Sequence, residues 1–387
     1  MTTAAPLILH SATLITDGAV SADAWVAVSG DRIVEVGTGP GWRSRLTDAS
    51  PEPVDAEGAY LTPGFVDIHC HGGGGRSFGD GADGIRTALA VHRTAGTTRS
   101  VLSLVTAPLD ELEAQLGVIA DLAAGDPTIL GAHLEGPFLD AGHKGAHDPA
   151  LLIDPDAEIV ARLIAAGRGV IRQVTIAPEL AGGLAAIRQF TEAGVATAVG
   201  HTDTDFTLAQ EAFAAGASLL THAFNGMNGL HHRAPGPVAA ATAAESVVLE
   251  IINDGVHVHP EMVRIAFAAA PGRVALVTDA MAAAGSDDGH YRLGTLDVTV
   301  TDGVARLTDG DSIAGSTLTL DAALRRAVTA VGIDLADAVT AVTATPARAM
   351  GRQADLGRIA PGYAADLVLL DADLRVTAVW AAGERLR

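Results

Sequence analysis

The segment Phe65-Val66-Asp67-Ile68-His69-Cys70-His71-Gly72 carries two imidazoles two residues apart in an otherwise apolar run. In a β-strand, alternation sends His69 and His71 to the same face. Two ring nitrogens aimed one way suggest a metal. Glu135, which ends the run Ala132-His133-Leu134-Glu135, adds a hard carboxylate oxygen as a further ligand. Three later apolar runs finish in the same manner, on His201 after Gly200, on His222 after Thr221 and on Asp279 after Thr278. A single His or Asp after a strand is ordinarily a cap or a turn. Their recurrence in strand after strand points to one shared site, because the functional groups of a (β/α)8 barrel collect at the carboxyl ends of its strands.

The chemistry available to such a set is metal-assisted hydrolysis. Glu135, His201 and His222 supply one oxygen and two nitrogens and leave positions for water and substrate. Asp279 can take a proton from the attacking water and return it to a departing amine, which must be protonated to leave. His69 and His71 either hold a second divalent ion bridged by Glu135 or only hydrogen-bond water at the strand end. Mixed His and carboxylate ligands suit zinc, iron, cobalt or manganese, with zinc the leading expectation for one or two ions per subunit.

The elements that must position these residues are legible in outline. Between about Leu61 and Gly351, apolar strands alternate with Ala-rich helical stretches such as Gly84 to Ala95, Leu109 to Ala124, Asp156 to Ala166 and Asp205 to Ala215. That is the pattern of βα units around a parallel sheet. Short strands occupy both ends of the chain: Leu7 to Ile15, Trp25 to Ser29 and Arg32 to Val36, then Leu367 to Asp371 and Val376 to Trp380. The expected architecture is therefore an α/β (β/α)8 TIM-like barrel at 61–353 beside a small β-sandwich domain built from both termini, 1–60 and 354–387. A β-hairpin insertion near 291–307, turning at Thr301-Asp302-Gly303, follows Asp279 and is expected to roof the site.

Composition narrows the partners. The chain has 387 residues, 48% of them hydrophobic, enough to bury a large core. Its 25 basic and 46 acidic residues give a formal charge of -21, which argues against nucleic acid or an anionic membrane surface as partner. No apolar run reaches the roughly 18 residues of a membrane span, and Met1 to His10 lacks the features of a signal peptide. The one cysteine, Cys70, excludes an internal disulfide and fits a cytoplasmic location. Alternation turns it away from His69 and His71, as a buried apolar filler.

The pair His69-Cys70-His71-Gly72, the strand-end histidines, Asp279 and the tail Leu356-Gly357-Arg358-Ile359-Ala360-Pro361-Gly362-Tyr363-Ala364-Ala365-Asp366-Leu367-Val368 resemble the amidohydrolase superfamily. More specific are His133-Leu134-Glu135-Gly136-Pro137-Phe138, Lys144-Gly145-Ala146-His147, Gly200-His201-Thr202, Thr221-His222-Ala223-Phe224-Asn225-Gly226-Met227 and Ile313-Ala314-Gly315-Ser316. In that order and spacing they resemble its N-acetylglucosamine-6-phosphate deacetylase family over nearly the whole chain. Many two-metal relatives in the superfamily bridge their ions with a carboxylated lysine. Here the only lysine, Lys144, lies in a Gly-rich loop, and Glu135 takes that part.

The resemblance implies hydrolysis of the acetamide of N-acetyl-D-glucosamine 6-phosphate to glucosamine 6-phosphate and acetate. It also implies that His147 stabilises the oxyanion and that Asn225, Gly226 (through its backbone N–H) and His257 contact the phosphate or sugar. A phosphate needs positive charge, and Arg233 in Leu230-His231-His232-Arg233-Ala234-Pro235-Gly236 offers a bidentate fork. The resemblance implies a homodimer in which Arg233 reaches the partner's site. Ile313 is expected against the acetyl methyl or in the core, and His231, His232 and His259 at the surface. Two rivals stand beside this reading. A cyclic-amide hydrolase or deaminase of the same superfamily is disfavoured by Asn225 and Arg233, which suit a phosphorylated sugar. An inactive metal-binding scaffold is disfavoured by Asp279, which a purely structural site does not require.

Overall fold

The computed structural model describes residues 7–46, 53–310 and 312–387; residues 1–6 and 47–52 of the expected terminal domain lie outside the described residues. Eight parallel strands, Phe65–Cys70, Thr97–Val105, Ile129–Glu135, Ile171–Ile176, Ala196–Val199, Leu219–Leu220, Val248–Ile252 and Val274–Val277, pair side by side in chain order. They are the first to eighth barrel strands below. The first and eighth meet through the Asp279 N–H donating to the His69 carbonyl and the His71 N–H donating to the Ala280 carbonyl, both at 2.8 Å. The barrel is thus nearly closed, and the expected fold class is the one observed.

These strands are Val-, Ile- and Leu-rich because both their faces are covered, the inner by the barrel interior and the outer by helices. Every residue of Ile129–Glu135 is buried. Helices such as Leu109–Ala123, Ala157–Ala166, Gly183–Glu192 and Phe206–Ala214 return the chain between strands and place Leu112, Leu163, Ile187 and Ala212 in the core. Asp156 and Asp205 cap two of them, their side chains accepting from the N–H groups of Glu158 and Leu208. Such caps are worth about 1 kcal/mol each. The first helix runs Gly81–Thr94, so it begins before Gly84.

The strands from the two ends of the chain form one separate hydrogen-bonded sheet, in which Tyr60–Pro63 pairs antiparallel with Leu367–Leu370 and parallel with Leu7–Thr16. It has its own apolar cluster around Leu9, Val26, Ile33, Leu61, Leu367 and Trp380. A buried ion pair ties it to the barrel: Arg99 of the second strand donates through Nε to Asp366 Oδ2 at 2.6 Å and through Nη2 to Oδ1 at 2.9 Å.

After the eighth strand the chain forms a three-stranded antiparallel sheet, Gly289–Leu293, Leu296–Thr301 and Val304–Leu307, one strand more than a single hairpin. Its apolar side, Leu293, Val298, Val300 and Ala305, packs on Ala146, Met281 and Ala314. This roof therefore rests on the loops that carry His147 and Asp279. Among the described residues, no helix is long and apolar enough to cross a membrane.

Candidate metal centre

Strand ends bring the catalytic-type side chains to one point. Glu135 closes the third strand, and its Oε1 lies 3.2 Å from His201 Nε2, 3.1 Å from His222 Nε2 and 3.3 Å from His69 Nε2. Its Oε2 lies 3.0 Å from His71 Nε2 and 3.4 Å from His147 Nε2. Asp279 Oδ1 stands 3.4 Å from His69 Nε2 and 3.3 Å from His71 Nε2. All seven residues are buried, Asp279 the most accessible at 8%. His201, His222 and Asp279 each leave their strand through a left-handed backbone, with φ of +47, +25 and +47°. A residue with a Cβ seldom occupies that region, and such strain persists where a functional arrangement over-determines it.

Far-side contacts through Nδ1 turn the Nε2 of three of the rings, His201, His69 and His147, toward the centre. The His201 Nδ1–H donates to the His143 carbonyl at 2.8 Å, which leaves its Nε2 lone pair for the centre. The His69 Nδ1 contacts Glu250 Oε2 at 3.0 Å, and the His147 Nδ1 contacts Thr106 Oγ1 at 2.9 Å.

The set fits a divalent cation. His69 and His71 bring their Nε2 atoms to 3.2 Å, and His201 and His222 bring theirs to 3.0 Å. Two ring nitrogens that close are favourable only around a shared proton or cation. His71 Nδ1 and His222 Nδ1 are buried without a hydrogen-bond partner. Burial alone would raise the Glu135 carboxyl, yet His69 and the other imidazoles hold it well below its usual range. Burial likewise opposes the charged form of His71, but its hydrogen bonds to Asp279 and Glu135 lift it to about 9. Against the same burial, Glu135 and Asp279 lift His69 well above its ordinary value. For His147 burial wins, and the ring is pushed down to about 4. The two carboxylates thus favour positive charge on the His69 and His71 side of the cluster, the charge a divalent cation would supply there.

A cavity of about 470 Å³ opens over the cluster and is lined by His147, Asn225, Gly226, His257, Ile313 and Arg306 among others. A larger one of about 740 Å³ lies beside it, between Val105-Thr106 and the roof, and contains none of the cluster's side chains. His257 Nδ1 lies 2.7 Å from Asp254 Oδ2. Arg233 is exposed and lines neither; it borders a separate hollow with Asp205, Phe206 and Leu230. His231 and His232 are exposed, and His259 is exposed and caps the helix Pro260–Ala269. Cys70 is buried with its Sγ 3.3 Å from His92 Nε2.

Sequence reasoning passed over Thr106, Arg306 and Glu250. Nothing local distinguishes the first two. Glu250 did carry a signal, a lone carboxylate inside the apolar run Val247-Val248-Leu249-Glu250-Ile251-Ile252.

A parallel barrel with a buried His, Glu and Asp cluster at its carboxyl-terminal strand ends is the framework of a metal-dependent hydrolase, and the model of the amidohydrolase family matches residues 60–386. The chain belongs to that family. Within it, the similarity runs to deacetylases of phosphorylated amino sugars, as the motifs led one to expect. The chain is 38% identical to the N-acetylgalactosamine-6-phosphate deacetylase of Escherichia coli O157:H7, over 90% of this chain and 96% of that one. It is 36% identical to the N-acetylglucosamine-6-phosphate deacetylase of Vibrio furnissii, over 88% of this chain and 85% of that one. It superimposes with a TM-score of 0.92 and 42% identity, over 99% of each chain, on a mutant of the Mycobacterium smegmatis N-acetyl-D-glucosamine-6-phosphate deacetylase in complex with N-acetyl-D-glucosamine-6-phosphate.

Proposed function

We propose that this enzyme hydrolyses the acetamide of N-acetyl-D-glucosamine 6-phosphate, giving D-glucosamine 6-phosphate and acetate. The observation that carries the reading is Glu135, whose two oxygens face His69, His71, His147, His201 and His222 at once. Glu135, His201 and His222 would hold one divalent cation, zinc foremost, and His69 and His71 with Glu135 a second. Such a cation acidifies water and polarises a carbonyl.

The remaining steps fall to the chain's own residues. Asp279 accepts the proton of the attacking water and delivers it to the departing amine nitrogen. His69 and His71, 3.4 and 3.3 Å from Oδ1, favour its carboxylate form against the effect of burial. His147 is neutral near pH 7, since burial depresses it to about 4. With Nδ1 engaged by Thr106, it presents Nε2–H to the developing oxyanion. Asn225, Gly226 and His257 would bind the sugar phosphate, and Ile313 the acetyl methyl. Arg233 would come from the partner of a cytoplasmic homodimer, a reading supported by its exposure and its separation from its own cavity. The similarity to a deacetylase of N-acetylgalactosamine 6-phosphate favours that sugar as a second substrate.

The test is acetate release from both N-acetylhexosamine 6-phosphates and from unphosphorylated N-acetylglucosamine, with dihydroorotate and adenosine as controls. Turnover of either control in place of the phosphorylated sugars would transfer the enzyme to the cyclic-amide or deaminase reading.

A further inference from the structure

We infer that Glu250 is a positioning residue that selects the ligating tautomer of His69 and so determines whether the His69 side of the centre holds an ion. This rests on the two-ion form of the reading above. Glu250 is completely buried in the seventh strand. Its Oε2 lies 3.0 Å from His69 Nδ1, and the same oxygen accepts from the His222 backbone N–H at 3.4 Å. Its Oε1 accepts from Gln173 Nε2 at 2.6 Å. A carboxylate offers only acceptors, so each of these neighbours must act as donor.

For His69 that requirement puts the hydrogen on Nδ1 and leaves the lone pair on Nε2, the atom that faces Glu135 Oε1 and Asp279 Oδ1 at 3.3 and 3.4 Å. His133, which packs edge-on to His69 at a centroid distance of 4.6 Å, restricts the ring from the other side. Ser103 and Thr175 hold His133 in turn, each at 2.9 Å. Without an acceptor at position 250 the Nδ1 hydrogen has no partner, and the opposite tautomer, with the hydrogen on Nε2, cannot bind an ion. Gln173 Oε1 is buried and unpartnered, so its amide can turn over to meet an amide at position 250.

The test titrates metal-free protein with cobalt(II), following the visible absorption and the bound equivalents. Wild type against His69→Asn identifies the ion that depends on His69. Glu250→Leu is expected to bind that ion about 10- to 100-fold more weakly, the usual effect of losing a ligand's outer partner, and the other ion as wild type does. Glu250→Gln keeps one acceptor and should weaken the same ion less. In a His69→Asn background, Glu250→Leu should change nothing further. Equal weakening of both ions, or of neither, in Glu250→Leu or in Glu250→Gln should the former be insoluble, overturns the inference. A further effect in the His69→Asn background overturns it as well. If wild type and His69→Asn bind one cobalt alike, the two-ion reading fails and this inference with it, while acetate release still reports separately on the hydrolysis.

Discussion

The backbone N–H of Asp279 donates to the carbonyl of His69 at 2.8 Å, while the Asp279 Oδ1 stands 3.4 Å from the Nε2 of the same histidine. The hydrogen bond that helps close the barrel between its first and eighth strands therefore also sets the carboxylate beside the cluster. Asp279→Asn keeps this main-chain link and the side-chain shape but loses the base. It should retain metal and substrate binding and lower kcat by at least ~10²-fold. Near-normal turnover in a metal-loaded variant would remove Asp279 from the mechanism.

Chelation should abolish acetate release, and zinc, cobalt, manganese or iron(II) should restore it. Glu135→Gln should lose both bound metal and turnover, because its two oxygens serve both halves of the cluster. His69→Asn should lose at most one metal equivalent. Elemental analysis beside the activity assay decides this, and full activity in metal-free protein would contradict it.

Burial works against a charged His257, but its hydrogen bond to Asp254 raises it above its ordinary 6.5. The sign follows. A raised histidine contributes stability and positive charge fully below 6.5 and loses both as pH rises through the raised value. The KM for the phosphorylated sugar should therefore hold steady through 6.5 and climb only at higher pH. In Asp254→Asn the climb should move down toward 6.5. A KM profile identical in the two proteins would separate His257 from phosphate binding.

Two arginines make distinguishable demands. If Arg233 serves the partner's site, mixing Arg233→Ala with Asp279→Asn subunits should restore part of the activity through hybrid dimers. Verified subunit exchange with no recovery would rule out binding in trans. Arg306 is the one arginine or lysine lining the cavity of its own chain among the described residues. Arg306→Ala should raise KM for the phosphorylated sugar several-fold and leave the unphosphorylated sugar unaffected.

Arg99 and Asp366 are 4% and 6% exposed, and Asp366 Oδ1 also accepts from the Ala382 N–H at 2.8 Å. Removing one partner strands a buried charge, at a cost of about 3–5 kcal/mol. Asp366→Ala should thus lower the thermal midpoint markedly with little change in metal content. A shift as small as that of an exposed pair, such as Arg86 with Asp83, would show the pair to be dispensable.

What the sequence determined by itself is the set of local patterns. Alternation along Phe65–Cys70 aims His69 inward, the apolar runs before His201, His222 and Asp279 mark strand ends, and the Ala-rich stretches between them mark helices. These are properties of neighbouring residues, governed by periods of 2 and 3.6. The tertiary structure alone decided which strand ends converge and how closely, because that depends on strand order and closure rather than on spacing. His69 and Glu250 are 181 positions apart, and only the barrel makes them hydrogen-bond partners. The same holds for Thr106 and His147, brought together across two strand-end loops. Arg233 and Arg306 look alike as isolated cations in sequence. Packing sends Arg233 to an outer hollow, whereas the third strand of the roof, Val304–Leu307, buries Ala305 on its apolar side and leaves Arg306 to line the cavity.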